Sequence, residues 1–142
     1  MTNPTDCLVV NIEEYDCDSG EKDMNLFILY DIKYDKYILR GKREPTPKIG
    51  SVPFSFECSS YLDAYEFIKA VTCKYNYLSI TLYNYDNLPA DSNDIYYSFL
   101  KTHEDREYEI VGFEGLINKH KKTKRRVKNI LKLMKYVNNY YA

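Results

Sequence analysis

The last 28 residues constrain this chain most. They read GLINKHKKTKRRVKNILKLMKYVNNYYA and contain no aspartate or glutamate. Leu116, His120, Thr123, Val127, Ile130, Met134, Val137 and Tyr141 follow one another at alternating steps of four and three. That spacing winds one apolar seam along an α-helix, with His120 and Thr123 as its weaker positions. Lys121, Arg125, Lys128, Lys132 and Lys135 form a second stripe at the same spacing. At 100° per residue this stripe lies well over a quarter-turn from the seam, and Lys119, Lys122, Lys124 and Arg126 complete the cationic set. Such a helix is roughly 35 Å long. It has to lay its seam on an apolar surface, from its own body or from a second copy, and keep its cations in water. Oligomerisation through Val127, Ile130, Met134 and Val137 is therefore one expectation. Replacing the outward Lys121, Lys122, Arg125 and Arg126 by Gln is expected to shift stability little, because exposed charges contribute little individually.

Nine of the chain's 20 Lys and Arg lie in residues 115–142, whereas all 21 Asp and Glu precede them. The formal net charge of −1 thus conceals a −10 segment, residues 1–114, joined to a +9 segment. Both segments fit one domain of ordinary size. A cationic face of this kind suits the phosphates of nucleic acid, where Lys and Arg gain by displacing counterions. It suits equally an acidic protein surface, the chain's own or a partner's. An anionic membrane surface fits less well, because the apolar face carries neither Trp nor Phe. The run KHKKTKRR also matches a nuclear-localisation pattern. The candidate anion-binding residues are Lys119, Lys121, Lys122, Lys124, Arg125, Arg126, Lys128, Lys132 and Lys135, with Tyr136, Tyr140 and Tyr141 as candidate interface residues.

With 44% apolar and 29% charged residues and a mean hydropathy of −0.54, the chain reads as globular. Its longest apolar run, residues 26–30, is far short of a membrane span. Residues 1–6 show no cationic start or apolar stretch of a secretory signal. Cys7, Cys17, Cys58 and Cys73 include no CxxC pair, and only His103 and His120 could join them. They are expected to be reduced, mostly buried thiols of an intracellular protein in cytoplasm, nucleus or virion, with no metal site.

Residues 8–15 lean to β structure, and the acidic, Gly-containing stretch 16–23 breaks it. Residues 25–33 and 36–43 alternate as a hairpin around Tyr34-Asp35. The Pro/Gly stretch 44–52 connects it to residues 53–58, whose Phe54, Phe56 and Cys58 share a face. Ser59 or Ser60 caps a helix, Ser60 to Asp63 approximating a capping box with Asp in place of Glu or Gln, and Tyr61, Ala64, Tyr65, Ile68, Val71, Thr72 and Tyr75 form its inner stripe. Residues 77–85 are the clearest strand, with Leu78, Ile80 and Leu82 inside. After the turn 86–90, Asp91 is an N-cap for a second helix, with Asp94 near its positive end; it takes in Ile95, Tyr96, Phe99 and Leu100 and runs to about His103. Residues 106–113 return as a strand. The expected fold class is α+β: a mainly antiparallel sheet of about five to six strands, two helices on one face, and the long basic C-terminal helix.

Catalytic signatures are absent from this reading. His103-Glu104-Asp105-Arg106-Glu107 crowds ionisable groups, but neighbours at a helix end point apart into water. Cys73 has no histidine at a readable spacing. No GxGxxG, Walker loop, HExxH or nucleophile elbow occurs. Asp16, Asp18 and Gly20 resemble a calcium loop for three positions, yet the bidentate glutamate is missing. Tyrosine, with 16 residues, buries area at low entropic cost and can stack on unpaired bases, but A/T bias and β-propensity account for most of them and no RNP-like Gly-aromatic motif is present.

Phe, Tyr, Met, Ile, Asn and Lys, with A/T-rich codons, number 62, against 19 for Gly, Ala, Arg and Pro. In this composition, and in using Tyr with no Trp, the chain resembles small uncharacterised proteins of large DNA viruses of amoebae. The resemblance carries no motif and transfers no residue role. The expected function is that of a non-enzymatic interaction protein, without cofactor, whose cationic helix engages nucleic acid or another anionic partner. A structural or assembly subunit, viral in origin, that docks on an acidic protein surface is the alternative. A small enzyme such as a nuclease comes third.

Overall fold

A computed structural model describes residues 7–44, 52–73, 76–84, 95–101, 106–110 and 121–140. Strands β1 (Cys7–Tyr15), β2 (Lys22–Asp31), β3 (Lys36–Arg43) and β4 (Val52–Cys58) are followed by helix α1 (Tyr61–Val71). Strands β5 (Tyr77–Asn84), β6 (Ile95–Lys101) and β7 (Arg106–Ile110) come next, then a 3₁₀ turn (Lys121–Thr123) that leads into helix α2 (Lys124–Tyr140). The seven strands form one antiparallel sheet in the order β4-β3-β2-β1-β5-β6-β7. The fold is α+β, and among the described residues it has seven strands and two helices.

Period-two alternation decides which face is buried. Leu8, Val10 and Ile12 of β1 lie in register with Tyr30, Ile28 and Leu26 of β2. On the other side Val10 and Ile12 pair with Leu82 and Ile80 of β5. All of these are buried, and α1 and α2 cover them with Ala64, Ile68, Val127, Ile130, Leu133, Met134 and Val137. The register Tyr37↔Cys58, Leu39↔Phe56 and Gly41↔Phe54 carries this face to β4, as Phe54, Phe56 and Cys58 anticipate. Phe67 of α1 stacks on Phe56 at 4.8 Å between ring centroids and meets Phe54 edge-on at 5.7 Å. Gly41 is required here, since a Cβ on it would stand 2.1 Å from the Asn25 carbonyl oxygen. The opposite sheet face is polar at β3 and β4, where Arg40, Lys42, Ser55 and Glu57 are exposed.

The hairpin turn is settled by side-chain hydrogen bonds. Asp31 pairs with Lys36, which leaves residues 32–35 as the loop. Asp35 adopts φ of +53°, and its carboxylate accepts the Tyr30 hydroxyl at 2.7 Å. The Ser60 hydroxyl caps α1 by accepting the Leu62 N–H at 3.2 Å, one residue earlier than the expected capping box.

The expected second helix is corrected. Residues 95–101 form β6, and Tyr97 and Phe99 stand in register with Leu82 and Ile80. The run Ile-Tyr-Tyr-Ser-Phe-Leu-Lys alternates as well as it follows a helical period, and a short run does not separate the two. Two things tip it. The residues are β-formers, and as an edge β5 would leave a row of N–H and C=O groups unpaired. Residues 45–51, 85–94, 102–105 and 111–120 lie outside the described residues, and with them Asp91, Asp94, His103, Leu116 and His120. No helix among the described residues is long and apolar enough to cross a membrane.

Candidate anion-binding face

Helix α2 forms because its seam meets a sheet face that needs a cover. Val127, Ile130, Met134 and Val137 are wholly buried, and Leu133 joins them. At roughly 1.5–3 kcal/mol per buried side chain, five such residues contribute on the order of 10 kcal/mol before ordering entropy is subtracted. The expectation that this seam serves oligomerisation is thereby corrected, because the chain's own core occupies it. The basic helix expected over 115–142 is observed over Lys124–Tyr140.

Burying the seam turns the cations outward. Lys122, Lys124, Arg125, Lys128, Lys132 and Lys135 are all exposed. Among the described residues none of them lies within 4.0 Å of a carboxylate, whereas Lys22, Lys36, Lys42, Arg43 and Lys69 each have an acidic partner. Lys124, Arg125, Lys128 and Lys132 line one shallow recess of about 330 Å³. Lys132 also lines a second, of about 330 Å³, with Tyr61, Lys135, Tyr136 and Asn139. Lys119 and Tyr141 lie outside the described residues.

This face is electrostatically unfavourable on its own. Lys124, Lys128 and Lys132 are four residues apart, where like charges cost a few tenths of a kcal/mol per pair. The first turn of α2 holds no acid and begins Lys-Arg-Arg, at the helix end whose dipole favours anions. The acidic loop of residues 16–23 sits at the other end of the sheet. Arg126 marks the near end by its contact with residues 32 and 33, and along β2 Asp23 lies nine residues from Ile32, roughly 30 Å. Screening at physiological salt acts within about 8–10 Å, so that loop does not neutralise the cations at the Arg126 end of the helix.

Arg126 is the correction within the candidate set. Its guanidinium donates to the carbonyl oxygens of Ile32 at 2.7 Å and Lys33 at 2.5 Å. The β2–β3 turn leaves these carbonyls outside the ladder, and Nη1, with two N–H groups, serves both at once. Arg126 is thus a clip between α2 and the hairpin, and the expectation that its removal costs little is withdrawn.

Tyr136 and Tyr140 are interface residues, and the interface is internal. Tyr136 stacks on Tyr61 at 6.0 Å between centroids, 21° from parallel, and lies 5.5 Å from Tyr65. Tyr140 meets Tyr65 edge-on at 6.3 Å. Lys69 stands over Tyr65 at 4.6 Å, and its ion pair with Glu66 at 2.9 Å holds its ammonium pKa above the usual lysine value. Tyr136 keeps 43% of its surface exposed.

One cluster escaped the sequence reading. Glu14 continues the inward phase of Leu8, Val10 and Ile12 and is fully buried. Its carboxylate pairs with Arg43 at 2.9 Å and accepts from the Cys73 N–H and from Asn76 Nδ2 at 3.0 Å. Asn76 also donates to Asp23 at 3.1 Å, and Arg43 to the Val71 carbonyl at 2.6 Å, the last of α1. An acid in the apolar phase was the available signal. Both carboxylate oxygens are occupied, which makes this a clip at the end of α1 rather than a general base. The loop carboxylate of Asp16 is likewise engaged. It accepts the Asp18 and Ser19 N–H groups at 2.8 Å each, and these bonds hold its pKa below the usual range. None of the four cysteines is in a disulfide. The chain matches no known family model, no curated protein and no solved structure.

Proposed function

We propose that this protein is a non-enzymatic interaction protein that binds the phosphate backbone of nucleic acid through the outward face of α2. The observation that carries the reading is the set of six exposed cations with no carboxylate partner among the described residues, five on α2 and Lys122 in the 3₁₀ turn before it, with the opposite face of α2 locked in the core. Their mutual repulsion and their clash with the helix dipole are both relieved by a bound polyanion. A helix that served only to neutralise its own body would turn these residues toward the acids.

Contacts of this kind read charge and not sequence, so affinity is expected to vary little among sequences. With about 4–6 phosphates engaged, log affinity for duplex DNA falls with log salt at a slope on the order of −4 to −5. Fluorescence anisotropy of the full-length protein with a labelled duplex over a salt series measures this slope. A variant with Lys124, Arg125, Lys128 and Lys132 all replaced by Gln should lose binding at an unchanged melting temperature. Competition by polyglutamate as effective as by DNA of equal charge would overturn the reading in favour of an acidic protein partner.

A further inference from the structure

Lys132 is shared by two recesses of different chemistry. On one side Lys124, Arg125 and Lys128 offer only cations. On the other, Tyr61, Lys135, Tyr136 and Asn139 offer ring faces, a cation and a side-chain amide. The Tyr136 ring is held by Tyr61 and Tyr65, so its orientation is set by packing, while 43% of the residue stays exposed. From Lys124 to Asn139 the two recesses together extend about 22 Å along the helix.

We infer that α2 binds single-stranded nucleic acid in preference to duplex, with the backbone along Lys124, Lys128 and Lys132 and an unpaired base stacked on Tyr136. This rests on the nucleic-acid reading above and sharpens it. A cationic stripe alone does not distinguish strand states, since both present phosphates. A preset exposed ring beside the stripe does, because duplex bases are already stacked and paired while free bases have open π-faces. Lys132, whose ammonium stands 5.9 Å over the Tyr61 ring, and Lys135 line the same recess as Tyr136 and can hold the phosphates next to the stacked base. Asn139 supplies a donor and an acceptor at its edge. The length corresponds to on the order of four nucleotides, at the low end of single-strand site sizes.

The chain contains no Trp, so Tyr136→Trp places a unique reporter in the recess. In the full-length variant, a short oligothymidylate should quench the introduced indole, whereas heparin, a polyanion without bases, should bind without quenching. In the unsubstituted protein, anisotropy should show the oligothymidylate bound about tenfold more tightly than a duplex with the same number of phosphates. Tyr136→Leu should remove that tenfold difference and keep duplex affinity, and Tyr136→Phe should retain it. Thermal melts establish that each variant is folded. Equal affinity for both strand states, insensitive to Tyr136→Leu, overturns the stacking inference and leaves the backbone-binding reading in place. Failure of the unsubstituted protein to bind oligothymidylate, duplex or heparin at low salt overturns both.

Discussion

Arg126 and Lys128 are two residues apart on the same basic helix, and the structure gives them opposite jobs. Arg126→Gln removes two hydrogen bonds from a charged donor, at 2.7 and 2.5 Å, to the Ile32 and Lys33 carbonyls. Bonds with a charged partner contribute about 1.5–3 kcal/mol each. Arg126 is half-buried and water can reach the turn, so the pair together is set below the roughly 3 kcal/mol that the low end would give, at about 2 kcal/mol. For a chain of this length each kcal/mol moves the melting temperature by about 3–4 °C, which gives a loss of about 6–8 °C. Lys128→Gln removes an exposed charge with no acidic partner among the described residues. It is expected to stay within about 0.5 kcal/mol of the parent, and easing the repulsion from Lys124 and Lys132 pushes it slightly upward. Arg126→Lys keeps the charge but not the rigid, planar placement of the two Nη1 donors and should fall between the two. Calorimetry measures these differences, and DNA anisotropy over a salt series supplies a second readout. Lys128→Gln should take about 0.9 off the log–log slope, whereas Arg126→Gln should leave it unchanged. Equal melting temperatures for the two glutamine variants, or a reduced slope for Arg126→Gln, would refute the division between clip and binding face.

Glu14→Ala strands a half-buried guanidinium, the Cys73 N–H and Asn76, and should cost about 3–5 kcal/mol in denaturant unfolding; a loss under 1 kcal/mol would show the network is solvated. Met134→Asp puts an unpaired charge in the core and should cost several kcal/mol, against near-neutral Lys135→Gln on the adjacent outward position. Similar denaturation midpoints would mean α2 is not packed on the sheet. The Glu13 carboxylate accepts the Tyr15 hydroxyl, and this bond raises the phenol to about 12. A folded pKa above the unfolded value near 10 contributes stability that is full below pH 10 and lost as pH climbs toward 12. Tyr15→Phe should therefore flatten part of the alkaline decline of the melting temperature, and an identical decline in both proteins would exclude the bond. Asp35→Ala loses both the tolerance for φ of +53° and the acceptor for Tyr30, so it should be less stable than Asp35→Asn by about 1–2 kcal/mol. Equal stability would place the strain elsewhere.

Local pattern sufficed wherever one physical cause acts over a few residues. Alternation over residues 25–33 marked β2, Leu78, Ile80 and Leu82 placed β5 with their own side inward, and the Ser59-Ser60 pair marked the start of α1. The seam Val127-Ile130-Met134-Val137 predicted its own burial because a 3.6-residue period projects directly onto one helix face. Stretch 95–101 failed because its seven residues satisfy both periods, and the choice belonged to β5, which needed a ladder partner on its open side. The clip roles of Arg126 and Glu14 were illegible for a related reason. Their partners lie 93–94 and 29–62 positions away in the chain, and no local pattern encodes which carbonyl or carboxylate a folded sheet will bring alongside.

By itself, then, the amino-acid order determined that a cation-rich, acid-free helix exists and that one of its faces must be covered. It could not say what covers it. The antiparallel sheet decided that, by offering an apolar face that α1 covers only in part, so that burying the seam on the same molecule satisfies both surfaces at once. Which cations stay in water follows from that docking, because rotating a helix to bury one stripe fixes the direction of every other. Lys124, Arg125, Lys128 and Lys132 turn outward, Arg126 turns to the hairpin, and Tyr136 comes to rest half-exposed beside them on the rings of α1.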